Sequence, residues 1–163
     1  MAYIGLISDT HGTFDDKLRS FLAPVDEIWH AGDFGTLECA DSIAAFKPLK
    51  GVYGNCDGYD VRADYPLYLS FESGGMSVLM THIGGYPGRY DPRARALIDE
   101  IRPQIFVCGH SHILKVINDP KRDMLVVNPG AAGLFGFHKV RTALRFRIDS
   151  GDIHDMEVCE WDK

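Results

Sequence analysis

The sequence predicts an α/β fold of two packed sheets with helices on the outside, and three observations carry that prediction. Short apolar runs alternate with helical patterns through the first half of the chain, whereas the second half is rich in strand patterns separated by turn residues. Polar clusters follow the early strands directly, and the carboxyl ends of strands are where ligands collect in open α/β sheets.

Residues 3–8 read as a buried strand that stops at Ser8-Asp9-Thr10-His11-Gly12. Asp15–Leu22 reads as a short helix closed by Pro24, and Glu27–Ala31 as the next strand, ended by Gly32-Asp33. Thr36–Phe46 carries Leu37, Ala40, Ile43 and Ala44 at helical spacing, with Pro48 beyond its end. Leu49–Tyr53 is a third strand opening into Gly54-Asn55-Cys56-Asp57. After a connection containing Pro and Tyr, Leu67–Phe71 and Met76–Met80 flank Glu72-Ser73-Gly74-Gly75 as a hairpin, whose second strand leads into Thr81-His82. Asp91-Pro92 supplies an N-cap and a first residue for a helix to about Ile101. Ile105–Cys108 is a strand ending at Gly109-His110-Ser111-His112. Ile113–Ile117, Leu125–Asn128, Thr142–Ile148 and Ile153–Cys159 read as antiparallel strands.

At 163 residues and 45% hydrophobic composition the chain fits one compact domain, residues 1–163, able to bury a sizeable core. A net charge of -6 argues against a stable nucleic-acid partner, although bound cations would reverse the local field and admit an anionic substrate. No leader pattern and no run near the roughly 18 apolar residues of a membrane span is present, which predicts a cytoplasmic protein without a membrane partner. Cys39, Cys56, Cys108 and Cys159 are widely spaced and read as free thiols. An exposed apolar strand edge in the late half is the feature a homo-oligomer would use, although nothing in the sequence specifies one.

Singly, the polar motifs are ambiguous. Asp9-Thr10-His11 reads as a turn with a solvated histidine as readily as a ligand pair, and His82 as a half-buried histidine. Gly109-His110-Ser111-His112 is sharper, because two imidazoles around one residue seldom serve packing. Jointly they supply His, Asp and Asn donors without thiolate clustering, which suits divalent cations in an open site rather than structural zinc. Two such cations need a bridging carboxylate to reduce their repulsion, and Asp33 is the natural candidate.

These blocks, Asp9-Thr10-His11, Gly32-Asp33, Gly54-Asn55-Cys56-Asp57, Thr81-His82 and Gly109-His110-Ser111-His112, resemble the signature of the calcineurin-like metallophosphoesterases in kind and order. Asn128-Pro129-Gly130 is similar to a feature of the family's small phosphodiesterase branch. The resemblance implies a four-layer α/β/β/α sandwich and hydrolysis of phosphate esters by a metal-activated hydroxide, without a covalent intermediate. It implies that Asp9, His11 and His112 hold one metal, that Asn55, His82 and His110 hold a second, and that Asp33 bridges them. Asp33, Asn55, His82 and His110 are then the catalytic set. The two cations are expected to be manganese, with nickel, iron, zinc or magnesium as alternatives. The superfamily also includes a retromer scaffold subunit with a degraded site that works through protein contacts, so a non-catalytic scaffold is the competing reading.

Cys56 departs from the family pattern, which commonly has histidine there to contact the phosphate or protonate the leaving oxygen. A thiol replaces an imidazolium acid poorly, so the expected substrate is a phosphodiester or an ester with a good leaving group. Cys56 reads either as a small space-filling residue or as a substrate contact. Arg89, in the Gly84–Tyr90 loop after His82, reads as a phosphate contact or as a solvated arginine. Phe135-Gly136-Phe137-His138 is a possible cleft wall. His30 is expected to serve packing or support a ligand, and His154 to be on the surface. Arg145 and Arg147 read as a solvated face opposite Leu144, Phe146 and Ile148.

Overall fold

The computed structural model describes residues 1–163. Its elements are β1 (Ala2–Ile7), α1 (Asp16–Leu22), β2 (Glu27–His30), α2 (Leu37–Phe46), β3 (Leu49–Gly51), α3 (Tyr59–Asp64), β4 (Tyr68–Ser73), β5 (Met76–Thr81), α4 (Pro92–Ile101), β6 (Ile105–Val107), β7 (Leu114–Asp119), β8 (Met124–Pro129), β9 (Val140–Asp149) and β10 (Asp152–Asp162). They form two five-stranded sheets, ordered β10-β9-β1-β2-β3 and β4-β5-β6-β8-β7. Strands β1, β2 and β3 run parallel in the first, and β5, β6 and β8 in the second. Antiparallel strands flank each parallel group.

Alternation along each strand builds the layers, because successive side chains point to opposite faces. Ile4, Leu6, Trp29, Val78, Met80, Ile105, Val107, Val127, Leu144, Phe146 and Ile148 fill the space between the sheets. Ile7 and Ile28 face the other way, onto Leu18, Leu22, Ala40, Ile43 and Val61 of α1, α2 and α3. On the opposite side of the molecule, Leu79, Phe106 and Val126 pack against Ala94 and Ile98 of α4. Parallel strands covered on both faces must be apolar on both, which is why β1 and β6 read as continuous hydrophobic runs. The result is the expected α/β/β/α sandwich.

Helix ends follow the capping chemistry in the sequence. Asp15 and Thr36 accept hydrogen bonds from the Leu18 and Cys39 backbone N–H groups, and Asp91 accepts from those of Arg93 and Ala94.

Four expectations are corrected. The connection after Asp57 contains α3, whose six residues bury only Val61 and whose Gly58 cap makes no side-chain bond, so no periodic signal marked it. The β4–β5 turn is tighter than the four residues Glu72–Gly75, because Ser73 pairs with Met76 and only Gly74 and Gly75 remain between them. The late strands are not one antiparallel set, since β8 lies parallel to β6 while β9 joins the other sheet beside β1. Arg145 is not simply solvated; its guanidinium donates to the Phe21 carbonyl and to Glu157. Arg141 of β9 is buried, donating to Ala132 O in the preceding loop and forming a two-pronged pair with Asp15 that fastens the start of α1 to β9.

Candidate metal centre

Strands β1, β2 and β3 of one sheet and β5 and β6 of the other end at a common edge, where loops 8–12, 31–35, 54–57, 82–85 and 108–112 meet. The first two loops are laced by backbone bonds from Asp9 N to Gly32 O, His11 N to Asp33 O and Gly12 N to Phe34 O. Gly109 N donates to His82 O, extending the β5–β6 contact in the same way. Asp9, His11, Asp33, His110 and His112 all have positive φ, between 44° and 73°. Left-handed backbone at non-glycine residues is uncommon and costs about 1–3 kcal/mol each, so its concentration here marks a tightly constrained site.

Each carboxylate has one oxygen anchored and one free. Asp9 Oδ2 accepts from Ser8 Oγ at 2.6 Å and His110 N at 3.1 Å, while Oδ1 is buried without a hydrogen-bond partner. Asp33 Oδ1 accepts from Cys56 N at 2.8 Å, leaving Oδ2 turned to the histidines. A Cβ on Gly54 would strike this Asp33 carboxylate, which explains the glycine there. Asp57 accepts at Oδ2 from the backbone N–H groups of Asp33, Phe34 and Gly54, and at Oδ1 from that of Gly35. In the sequence Asp57 is only the acid that closes Gly54-Asn55-Cys56-Asp57, and that place in the block is the one signal of its supporting role.

The imidazoles complete the cluster. His82 Nδ1 lies 2.7 Å from the Ala31 carbonyl, which can only accept, so Nδ1 carries the hydrogen and neutral Nε2 presents a lone pair. That Nε2 is 3.2 Å from Asp33 Oδ2 and 3.8 Å from Asp9 Oδ1, yet outside hydrogen-bonding geometry. His11 Nε2 lies 3.8 Å from Asp9 Oδ1 and 3.7 Å from Asp33 Oδ2, also without a partner. His112 Nε2 is 3.2 Å from Asp9 Oδ1. Asp9, His11 and His112 form one group able to hold a metal ion; Asp9, Asp33 and His82 form another, and His11, Asp33 and Cys56 a third. Ligand bonds of about 2.0–2.2 Å place adjacent donors roughly 3–3.5 Å apart, and unpartnered lone pairs turned on carboxylate oxygens need a cation or proton between them.

Asn55 and His110 lie at the rim. His110 Nδ1 is 3.0 Å from Asn55 Oδ1, and its ring stands edge-on to His82 at 5.2 Å. His110 is therefore engaged with Asn55 and lies outside the three compact groups. Cys56 is exposed beside Asp33, with Asn55 Nδ2 at 3.6 Å from its sulfur. His112 Nδ1 faces His138 Nδ1 at 3.3 Å, and His138 Nε2 faces the Gly133 carbonyl at 2.8 Å. Asn128 donates to Gly109 O and Ser111 Oγ, holding the 109–112 turn. His30 makes no approach to the cluster; it is buried between Thr10 and Gly32. His154 lies part-exposed beside Asp155.

Electrostatics match a site built for positive charge. Burial works to lift Asp9, but His112, His82 and Ser8 bring it below the ordinary carboxylate range. Asp33 is likewise drawn well down against burial, by His82 and the Cys56 N–H. His82 is raised despite its burial, by Asp33 and Asp9. Burial and then the Asp33 charge push the Cys56 thiol up, so without a cation it stays protonated at neutral pH.

Two clefts open beside His110. One, about 840 Å³, is walled by Ile113, Phe135, Phe137 and His138. The other, about 300 Å³, contains Arg89 and Lys115, with the lysine 3.6 Å over the Tyr86 ring. Arg89 is exposed at its rim and makes no side-chain hydrogen bond in the protein.

No helix is long and apolar enough to cross a membrane. No curated protein matches the chain. Among solved structures, an archaeal phosphodiesterase is similar at 21% identity with a TM-score of 0.73, over 96% of this chain and 99% of its own. A predicted phosphoesterase from Streptococcus pneumoniae is similar at 22% identity with a TM-score of 0.68, over 99% and 98%. Vps29 from Entamoeba histolytica, solved with zinc, is similar at 16% identity with a TM-score of 0.65, over 97% and 98%. At these identities the likeness is one of fold. The family profile is more direct: the calcineurin-like phosphoesterase superfamily domain matches residues 3–151, and the chain belongs to that superfamily.

Proposed function

We propose that the chain is a metal-dependent phosphodiesterase with two divalent cations, manganese being the first candidate and nickel, iron, zinc and magnesium the others. Asp9, His11 and His112 hold one cation, Asn55, His82 and His110 the other, and Asp33 lies between them. The observation that carries this reading is the trio of buried polar atoms without partners, Asp9 Oδ1, His11 Nε2 and His82 Nε2, with Asp9 Oδ1 3.8 Å from each of the two imidazole nitrogens. Bound divalent cations supply Lewis-acid polarisation of phosphoryl oxygens and acidify water near neutral pH.

The protein's own groups do the positioning. The Ala31 carbonyl fixes the His82 tautomer, Cys56 N and Asp57 hold Asp33, and Ser8 with His110 N holds Asp9. Cys56 offers a departing alkoxide no imidazolium acid, which a thiol replaces poorly. The substrate class is therefore a small phosphodiester or an activated ester, with Arg89 and Lys115 placed to meet further negative charge. Four unpaired cysteines suit a reducing compartment such as the cytoplasm.

A second reading, a protein-binding scaffold on the same fold, draws on a different observation. Ile113, Val116 and Ile117 near edge strand β7, and Leu134, Phe135 and Phe137 beside the centre, are large exposed apolar residues. Metal-stripped protein given Mn, Ni, Mg, Fe or Zn separately, with an aryl phosphodiester and an aryl phosphomonoester, decides between the two. Metal-dependent turnover that favours the diester is expected. Absence of turnover with every metal overturns the enzymatic reading.

A further inference from the structure

We propose that His138 is a positioning residue that determines which ring nitrogen of His112 faces the metal centre, an inference that rests on His112 being a ligand there. The roles follow from the end of the hydrogen-bond chain. Gly133 O can only accept, so the His138 nitrogen 2.8 Å from it, Nε2, carries the hydrogen. The other nitrogen of a neutral ring is then a lone pair. His138 Nδ1 faces His112 Nδ1 at 3.3 Å, so His112 holds its hydrogen at Nδ1 and keeps the lone pair on Nε2. That is the nitrogen 3.2 Å from Asp9 Oδ1, inside the group formed with His11.

The chain closes on itself. Gly133, whose carbonyl starts it, donates its own N–H to Asp9 O at 3.2 Å. Asp9 thus meets the ring of contacts twice, through its backbone and, via His112, through its carboxylate. The loop carrying His138 lies flat on the pair: a Cβ on Gly136, at φ +125°, would stand 2.5 Å from His112 Nδ1 and 3.1 Å from His138 Nδ1. Lys163 Nζ donates to Gly136 O at 2.5 Å and holds the loop from outside. His82 and His11 are held by different neighbours. The carbonyl of Ala31 orients His82, and Phe135 lies against the His11 ring at 4.9 Å.

The test reads the tautomer and metal affinity separately. Long-range proton–nitrogen correlation spectra of metal-free protein are expected to show His112 with its hydrogen on Nδ1. In His138→Ala that preference is lost, and Mn affinity measured by calorimetry falls about 10- to 100-fold. In His138→Gln, whose amide oxygen accepts from His112 and whose NH₂ reaches for Gly133 O, both recover at least in part. A purely structural role would lower stability without changing the tautomer. A wild-type His112 with its hydrogen on Nε2 overturns the proposal, and so does an unchanged tautomer and affinity in His138→Ala. The wild-type spectrum needs no variant, so a variant that fails to fold does not shelter the idea. Wild-type protein that binds none of Mn, Ni, Fe, Zn and Mg overturns the metal reading and the proposal with it, whereas a metal-binding protein with an unresponsive tautomer overturns the proposal alone.

Discussion

Asp57 holds Asp33 by its backbone: the Asp57 Oδ2 oxygen accepts the Asp33 N–H at 3.0 Å across 24 residues of sequence, and three more backbone N–H groups share the same carboxylate. The bonds from Asp33, Phe34 and Gly54 are buried, while that from Gly35 is only partly so. Asp57→Ala therefore leaves several donors unpaired, at about 1–3 kcal/mol for each one that stays buried. A loss of roughly 3 kcal/mol or more in denaturant melts is expected, with weakened Mn binding, because the Asp33 loop loses its anchor. Asp57→Asn is expected to fall between, since one amide oxygen cannot replace two carboxylate oxygens.

Asp33→Asn tests the carboxylate between the two proposed cations. The amide keeps the shape and removes the charge that His82 and His11 face. Metal content measured after gel filtration is expected to drop, and turnover of an aryl diester to fall roughly a hundredfold or more, beyond the loss typical of groups that only support a ligand. Full activity would mean that the bridge lies elsewhere.

Cys56 separates a contact from a filler. Its exposed position predicts that Cys56→Ala leaves diester turnover nearly unchanged. Cys56→His places a stronger acid at the rim and is expected to raise monoester turnover by about tenfold, toward the lower range of general acid catalysis. Steady-state rates on matched aryl and alkyl esters check both, and no gain on alkyl monoesters would mean that a missing acid is not the limitation.

Stability is expected to fall on mild acidification because of His30. Its Nδ1 accepts from Gly32 N at 3.0 Å, so its hydrogen sits on Nε2 beside Thr10 Oγ1, and Thr10 donates onward to Phe34 O. Protonating Nδ1 would set two N–H groups against each other in a buried site. Burial accordingly drives the His30 pKa down from 6.5 to about 3. Between those values the unfolded chain binds a proton that the folded chain does not, so the contribution is complete above about pH 6.5 and is lost progressively toward pH 3. The loss is on the order of 5 kcal/mol, from 1.36 kcal/mol for each pKa unit. Urea melts from pH 7 downward check it, and His30→Gln is expected to flatten that dependence.

The order of strands and helices was legible because it rests on local patterns: continuous apolar runs for β1 and β6, apolar alternation for β9, an Asp-Pro start for α4, and polar stops after the early strands. The ligand candidates were legible for a related reason, since each is a chemically unusual residue at the end of an apolar run. Helix α3 was hidden because one buried valine makes no period. The placement of β8 and β9 in different sheets was hidden because strand pairing is a contact between distant segments, and an apolar strand pattern carries no partner's name.

By itself the sequence determined the α/β layering, the polar strand ends and the kinds of donor atom available. Only the tertiary structure decided which oxygen of Asp9 and Asp33 is free, which nitrogen of His82 faces inward, and that Asp57 and His138 stand behind the cluster. Those choices depend on backbone carbonyls and N–H groups brought from other loops, such as Ala31 O, Cys56 N and Gly133 O. Every residue carries such groups, so their arrangement in space, and not their identity, makes them specific.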